Sequence, residues 1–184
     1  MLKVILDACV LFPMYLRDTL LSTAESGLYL PYWSQRILDE AMSNLVLRGK
    51  ISAEGAKNLE EVIKYAFPEA MVDEVPWELE QAMTNDPKDR HVLAAAVIVK
   101  ADIIVTNNLN DFQNQALTPW HVKAQSPDNF LSELFDEYPR EMIQVLQKQS
   151  QNYKRSPKTF IQLLELLSKQ LPGFTSKILS HESI

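Results

Sequence analysis

The sequence predicts an α/β protein, a three-layer α/β/α sandwich around a five-stranded parallel sheet, followed by a helical extension. Two short runs of apolar and β-branched residues, 2–6 and 103–106, have the pattern of strands that are buried on both faces. Segments with helical spacing separate these runs, so right-handed crossovers should connect parallel strands. Beyond residue 138 only helical patterns follow, which indicates an appendage without strands.

The individual elements follow from apolar spacing and from helix start and stop signals. The predicted strands are 2–6, 28–32, 70–75, 103–106 and 122–124. The predicted helices are 14–26, 35–48, 52–67, 77–83, 87–100, 127–137, 140–151 and 157–170. Ser34 should cap the second helix, and Gly27 and Gly49 should end the first two. Asp86 is predicted as an N-cap, with Pro87 as the first helical residue.

The chain divides by composition into a body, 1–137, and a helical extension, 138–184. The body has 11 Lys and Arg against 21 Asp and Glu, whereas the extension has 7 against 3. The net charge of −6 gives no basic signature for the whole chain. Any interaction with nucleic acid must therefore depend on local features.

Several classes of protein are disfavoured by what the 184 residues contain. Cys9 is the single cysteine, which excludes an intrachain disulfide and a cysteine zinc cluster, and its apolar neighbours predict a buried, inert thiol. The four glycines form no phosphate-binding loop, and no histidine accompanies a nucleophile elbow. His91 is interpreted as a helix-surface residue. Without a secretory signal or a membrane-spanning apolar run, a cytoplasmic protein is expected.

Polar residues follow the two clearest strands, where the ligand site of a parallel sheet is expected. They are Asp7 after the first strand, Thr106, Asn107, Asn108 and Asp111 after the fourth, and Asp86 and Asp89 just upstream of the fourth. Carboxylates crowded at one rim repel each other unless a cation neutralises them, and Mg²⁺ or Mn²⁺ prefers such oxygen ligands. The pattern therefore favours a metal site.

Each of these acids also has a structural interpretation. Asp86 is explained as a helix cap, Asp89 can close a capping box, and an Asp at a strand end often serves a loop. Glu40 competes with its neighbour Asp39 for a role at the site. At 100° per residue Glu40 lies on the flank of the buried stripe of its helix, whereas Asp39 lies nearly opposite, so Glu40 is the better candidate.

The combination resembles the PIN-domain family, and within it the VapC-type toxins. The resemblance rests on four motifs in order across residues 1–130: Leu6-Asp7-Ala8-Cys9-Val10-Leu11, Ile37-Leu38-Asp39-Glu40, the segment from Asp86 to Ala96, and Ile104 to Phe112. The residues from Ser126 onward resemble an extension found in some of these toxins.

The resemblance implies one or two Mg²⁺ or Mn²⁺ ions and endonucleolytic cleavage of RNA. It also implies a toxin–antitoxin pair, with a protein antitoxin as partner, and a homodimer. Carried onto this chain, the catalytic and metal positions are Asp7, Glu40 and Asp89, and the fourth metal position is Asn108. Many members have an acid there, so the second metal is in question. Thr106, Asp111 and Asp86 are expected in supporting roles.

Two other functions compete with a nuclease. The first is a PIN scaffold with a weakened site that binds RNA or protein, an interpretation favoured by Asn108. The second is a phosphotransfer enzyme or receiver domain with Asp7 as phosphoacceptor, which is disfavoured because Cys9 replaces a second Asp. Lys154, Arg155 and Lys158 are candidate RNA contacts in the extension, although a solvated turn explains them equally.

Overall fold

Residues 1–181 are described by the structure, a computed structural model, and their contacts group into two units. The first unit contains residues 1–12 and 29–125, and the second contains 13–28 and the chain from residue 126 onward. This division differs from the predicted domains 1–137 and 138–184, whose boundary stays a prediction. The last three residues of the predicted extension lie outside the described residues.

The sheet lies in the first unit, is flanked by helices and is entirely parallel. Its strands are β1 (Lys3–Leu6), β2 (Leu30–Tyr32), β3 (Ile103–Val105) and β4 (Lys123–Gln125), in the order β2-β1-β3-β4. Val4 lies opposite Pro31 on one side and Ile103 on the other. The last three residues of β1 and all of β3 are buried, which explains their continuous apolar runs. The predicted fold class is confirmed, with four strands instead of five.

Of the five predicted strands, the one over residues 70–75 is wrong. Only Met71 pairs with the sheet, through an isolated parallel bridge to Trp33. The Trp33 N–H donates to the carbonyl of Ala70 at 3.0 Å, and the Val72 N–H donates to the carbonyl of Trp33 at 2.9 Å. Pairing stops there because Ser34 already begins a helix, so the neighbouring backbone leaves the sheet.

Helices occupy most of the remaining chain. They are α1 (Ala8–Leu11), α2 (Met14–Glu25), α3 (Gln35–Leu47), α4 (Ala53–Ala66), α5 (Trp77–Ala82), α6 (Arg90–Val99), α7 (Asn114–Leu117), α8 (Pro127–Glu137), α9 (Pro139–Asn152), α10 (Phe160–Leu167) and α11 (Pro172–Leu179). Short 3₁₀ helices cover Pro68–Ala70, Leu109–Asp111 and Thr118–Trp120. As predicted, Ser34 caps α3 by accepting the Ile37 N–H, and Gly49 follows its end with a positive φ of 63°.

The start of α6 differs from the prediction. The helix begins at Arg90, not at Pro87. Asp86 instead closes a turn: its Oδ1 accepts the Lys88 N–H at 3.0 Å, and its carbonyl accepts the Asp89 N–H at 2.9 Å. Asp89 occupies the N-cap position, but its side chain makes no capping hydrogen bond. The carboxylate of Asp86 therefore stabilises the backbone, while that of Asp89 is left for another role.

The second unit is helical and consists of α2 and α8–α11. Phe135 and Phe174 pack edge to face, 6.2 Å apart, between α8 and α11. The helix predicted over 157–170 is shorter in the structure, where α10 covers Phe160–Leu167. The sequence did not predict α11, because Pro172 and Gly173 are typical of a helix end; proline, however, is also favoured in the first turn of a helix. Across residues 1–181, no helix has the length and apolar character needed to cross a membrane.

Asp128 of α8 caps α11 from outside that helix. Its Oδ2 accepts the Gly173 N–H at 3.0 Å and its Oδ1 accepts the Phe174 N–H at 2.8 Å. Leu171, at the N-cap position of α11, supplies no side-chain cap of its own. The carboxylate thus satisfies two N–H groups that the helix cannot pair internally, and its charge suits the positive end of the helix.

Replacing Asp128 with alanine should therefore destabilise the protein by about 0.5–2 kcal/mol, the range for a lost helix cap. The matched control is Asp136→Ala, on the same helix, because Asp136 makes only an exposed ion pair with Lys177 of α11. Exposed pairs contribute about 0–1 kcal/mol. Urea unfolding of the full chain measures both, and an equal loss in the two variants would contradict the capping role of Asp128.

Candidate functional site

The site lies where the strand order of the sheet reverses. β1 is central, with β2 on one side and β3 on the other, so the chain segments that leave β1 and β3 diverge at their carboxyl ends. Asp7 follows β1 and Thr106 follows β3. The Asp7 N–H donates to the carbonyl of Val105 at 3.1 Å, which brings the two side chains together.

Asp7 is 3% exposed, and its carboxylate is held by defined donors. Oδ1 accepts the Ala8 N–H at 2.7 Å, which makes Asp7 the N-cap of α1. Oδ2 accepts the Thr106 hydroxyl at 2.7 Å. Hydrogen bonds of this kind compensate the cost of burying a charged group and fix its orientation. The Thr106 hydroxyl thus orients the Asp7 carboxylate.

Cys9 also belongs to this arrangement, which the sequence did not indicate. The half-buried thiol lies 3.3 Å from Asp7 Oδ2, to which it donates, and Sγ accepts the Asn107 N–H at 3.2 Å. Burial, with the charge of Asp7, raises the pKa of the Cys9 thiol to about 12, so it stays a protonated donor. A protonated thiol agrees with the predicted inert state, and its hydrogen bonds also connect the segments that follow β1 and β3. Asn108 is anchored nearby by its N–H, which donates to Thr106 Oγ1 at 3.0 Å.

Asp89 carries the clearest electrostatic signature of the site. Burial raises its pKa to about 7, and the charges of Asp7, Asp111 and Asp86 add to the effect, as does a hydrogen bond with the Asp111 side chain. Four of the acids singled out from the sequence therefore interact around Asp89. The repulsion among them is the condition that a divalent cation relieves.

Glu40 faces the same region from α3, but it has other partners. Its Oε1 lies 3.4 Å from Nε of Arg36 and 3.2 Å from Nε2 of His91. Burial raises the Glu40 pKa; Arg36 opposes this, and Asp7 adds to it, which places Glu40 within the field of Asp7. The predicted position of His91 on the helix surface is wrong, since the residue is 2% exposed. Burial and Arg36 lower its pKa to about 4, so it is neutral near pH 7.

The donors at this rim suit a hard divalent cation in chemistry, although they form no closed cage. Within residues 1–181, no three acidic, histidine or cysteine side chains are grouped closely enough to hold one ion. Mg²⁺ commonly binds through one or two carboxylates and keeps several waters. Asp7 and Asp89, whose charges interact, fit that requirement, whereas Glu40 is oriented towards Arg36 and His91.

Neutralising Asp89 should stabilise the metal-free protein at alkaline pH. Because the folded-state pKa of about 7 exceeds the ordinary value of 3.8, the folded state binds more protons between these values, and stability falls as pH rises through that window. The Asp89→Asn variant has no carboxylate at this position, so its stability should not fall in this pH window. Its melting temperature should exceed that of the parent at pH 8 and converge with it below about pH 4.

The control is Asp73→Asn, which removes the same charge from an exposed segment of the first unit. The melting temperatures of the parent, Asp89→Asn and Asp73→Asn are measured by thermal unfolding in EDTA across pH 4–9. If Asp89→Asn behaves like Asp73→Asn at pH 8, the crowding of carboxylates around Asp89 is not present in solution.

Comparison with known proteins agrees with this geometry. A family model described as "PIN domain" matches residues 3–110, and one described as "VapC50 C-terminal domain" matches residues 127–180. "Putative ribonuclease VapC50" of Mycobacterium tuberculosis (strain ATCC 25618 / H37Rv) is 44% identical over 96 residues, 52% of this chain and 57% of that protein. The match thus spans little more than half of the relative. No solved structure matches the chain significantly. Because the PIN-domain model matches more than half of the length of the chain, the chain belongs to the PIN-domain family.

Proposed function

We propose that the protein is a metal-dependent endoribonuclease that hydrolyses RNA phosphodiester bonds, and that it acts as the toxin of a toxin–antitoxin pair. The observation that carries the proposal is the group of interacting carboxylates around Asp89, at the carboxyl ends of β1 and β3. Membership of the PIN-domain family and the word ribonuclease in the name of the VapC50 relative support it.

Asp7, Glu40, Asp89 and Asn108 would hold Mg²⁺ or Mn²⁺ in this proposal. When bound, the metal polarises a phosphate and lowers the pKa of a coordinated water, which supplies the nucleophile. The protein supplies orientation. Thr106 fixes Asp7 through a 2.7 Å hydrogen bond, so one carboxylate oxygen is held in place before substrate arrives.

The remaining acids have supporting roles. Burial, with the charges of Asp7 and Asp111, raises the pKa of Asp89 in the metal-free protein, so Asp89 must release a proton to act as a ligand. Asp86 holds the turn that presents Asp89. Glu40 would leave Arg36 and His91 to complete the shell, and the exposed, water-screened ion pair with Arg36 permits this exchange.

The partners follow from the same proposal: an RNA substrate, a protein antitoxin and a second copy of the chain in a homodimer, in a cytoplasmic protein. Lys154 and Arg155 are exposed in the segment between α9 and α10, and Lys158 donates to Ser156 Oγ at 2.8 Å in the same segment. We propose these three cations as RNA contacts of the helical extension, because positive charge favours phosphate binding and the extension has 7 Lys and Arg against 3 Asp and Glu.

A second function, a PIN scaffold with a weakened site that binds RNA or protein, is favoured by two observations. Asn108 provides an amide where many members have an acid, which reduces the negative charge of the site. Glu40, moreover, is engaged by Arg36 and His91. Metal-dependent cleavage of RNA distinguishes the two functions.

Purified protein should cleave an RNA pool with Mg²⁺ or Mn²⁺ and stop when EDTA is added. Asp7→Asn and Asp89→Asn should each lower the cleavage rate by orders of magnitude while the protein stays folded, since asparagine removes the metal-binding charge but keeps the size and a carbonyl acceptor of the side chain. Glu40→Gln should also lower the rate, and its matched control is Asp39→Asn, the neighbouring acid on α3, which bonds Gln35 instead.

Unchanged cleavage in both Asp7→Asn and Asp89→Asn would reject the proposed site. Binding of RNA by the parent without any metal-dependent cleavage would favour the scaffold function.

Asn108→Asp should tighten Mn²⁺ binding, because an added carboxylate raises the complementarity of the site to a divalent cation. Titration of Mn²⁺ against parent and variant, without RNA, measures this directly. Asn107→Asp is the control for added charge in the same segment. Weaker binding by Asn108→Asp would mean that Asn108 is not a ligand or that its amide is required.

A further inference from the structure

We propose that Arg36 contacts a phosphate of the bound RNA beside the carboxylates, an inference that rests on the proposed function. Arg36 lies in the first turn of α3, one helical turn before Glu40, and its side chain is 51% exposed. Its Nε lies 3.4 Å from Glu40 Oε1, and its Nη1 lies 3.1 Å from Glu80 Oε1 of α5. The guanidinium thus occupies the border between a predicted metal ligand and solvent.

The electrostatics of the rim require a cation at this border. The charges of Asp7, Asp111 and Asp86 act on Asp89, so these carboxylates lie close together at the rim and repel one another. An RNA phosphate meets the same repulsion, and one divalent ion offsets only part of it. A group that attracts phosphate and does not itself need the metal would lower this barrier.

Arg36 meets this requirement at Glu40, and His91 does not. His91 is also in contact with Glu40, but it is 2% exposed, so an RNA phosphate cannot reach it. The Arg36 side chain is 51% exposed, and a guanidinium carries its charge at neutral pH. Arg36 therefore provides positive potential to a phosphate beside Glu40.

The chemistry of the guanidinium suits an exchange of partners. It presents five N–H donors in a planar fork that matches phosphate oxygens in pairs. Its present carboxylate partners are 40% exposed for Glu40 and 23% exposed for Glu80, so water screens both ion pairs and their loss costs little. If Glu40 turns to a metal, the Nε edge of Arg36 is released at the same step, and phosphate can replace the carboxylate.

The test measures RNA binding rather than cleavage. A fluorescein-labelled single-stranded RNA 12-mer is titrated with the full chain at a fixed Mg²⁺ concentration, in an Asp89→Asn background in which cleavage is too slow to consume the RNA, at several salt concentrations. Arg36→Gln should reduce the log–log salt slope by about 0.7, which weakens binding roughly fivefold near 0.1 M salt. Arg36→Lys should retain the slope because it retains the charge.

The matched control is Arg48→Gln, which removes the same charge from the other end of α3, about 18 Å away along the helix axis. Arg48 stacks on Phe12, 5.3 Å from the ring centroid, and should leave the slope unchanged. An unchanged slope in Arg36→Gln, or an equal decrease in Arg48→Gln, would overturn the contact while the nuclease proposal stands. Absence of RNA binding by the parent would overturn both.

Discussion

The parallel pairing of β1 with β3 is the constraint on which the site depends. Because the two strands run side by side in the same direction, their carboxyl ends coincide, and the Asp7 N–H reaches the carbonyl of Val105. That single register places the Thr106 hydroxyl 2.7 Å from the Asp7 carboxylate, although the two residues are 99 positions apart in the chain. A one-residue slip would turn Thr106 to the other face of the strand and leave a buried carboxylate without its donor.

The acids of the site differ in how well the surrounding residues stabilise their charge, and this difference indicates different roles. Asp7 is nearly fully buried and receives hydrogen bonds from Ala8, Thr106 and Cys9, so its orientation is set by the fold. Asp89 makes no such capping bond, and burial together with the charges of its neighbours raises its pKa to about 7. The fold therefore provides one fixed oxygen ligand and one carboxylate whose charge depends on what binds beside it. A site of this kind is less stable empty than occupied, as functional sites often are.

The sequence predicted those parts of the fold that local patterns determine. β1 and β3 were predicted because buried parallel strands have continuous apolar sequences. The capping role of Ser34 was predicted because a side-chain cap depends only on neighbouring residues. The strand expected over 70–75 failed because the pairing partner, Trp33, is followed at once by a helix. Asp86 followed by Pro87 is typical of a helix start, but the same pair also occurs in turns. Contacts in the folded chain decide between a helix start and a turn at this position. The acids near Asp89 were found from strand-end positions, whereas Cys9, Arg36 and His91 were missed because their roles come from contacts between distant segments.

The two bases beside Glu40 show why residue type alone did not identify the phosphate contact. A histidine next to a carboxylate is ordinarily expected to gain charge, yet burial at 2% exposure and the nearby arginine keep His91 neutral. Arg36 cannot lose its charge at any relevant pH, so attraction for phosphate at this rim would not vary as histidine titrates. Its half-exposed position also lets it exchange one oxygen anion for another without leaving a buried charge unpaired. The same cation can thus neutralise Glu40 in the metal-free protein and an RNA phosphate when Glu40 is withdrawn, which keeps the local charge balanced in both states.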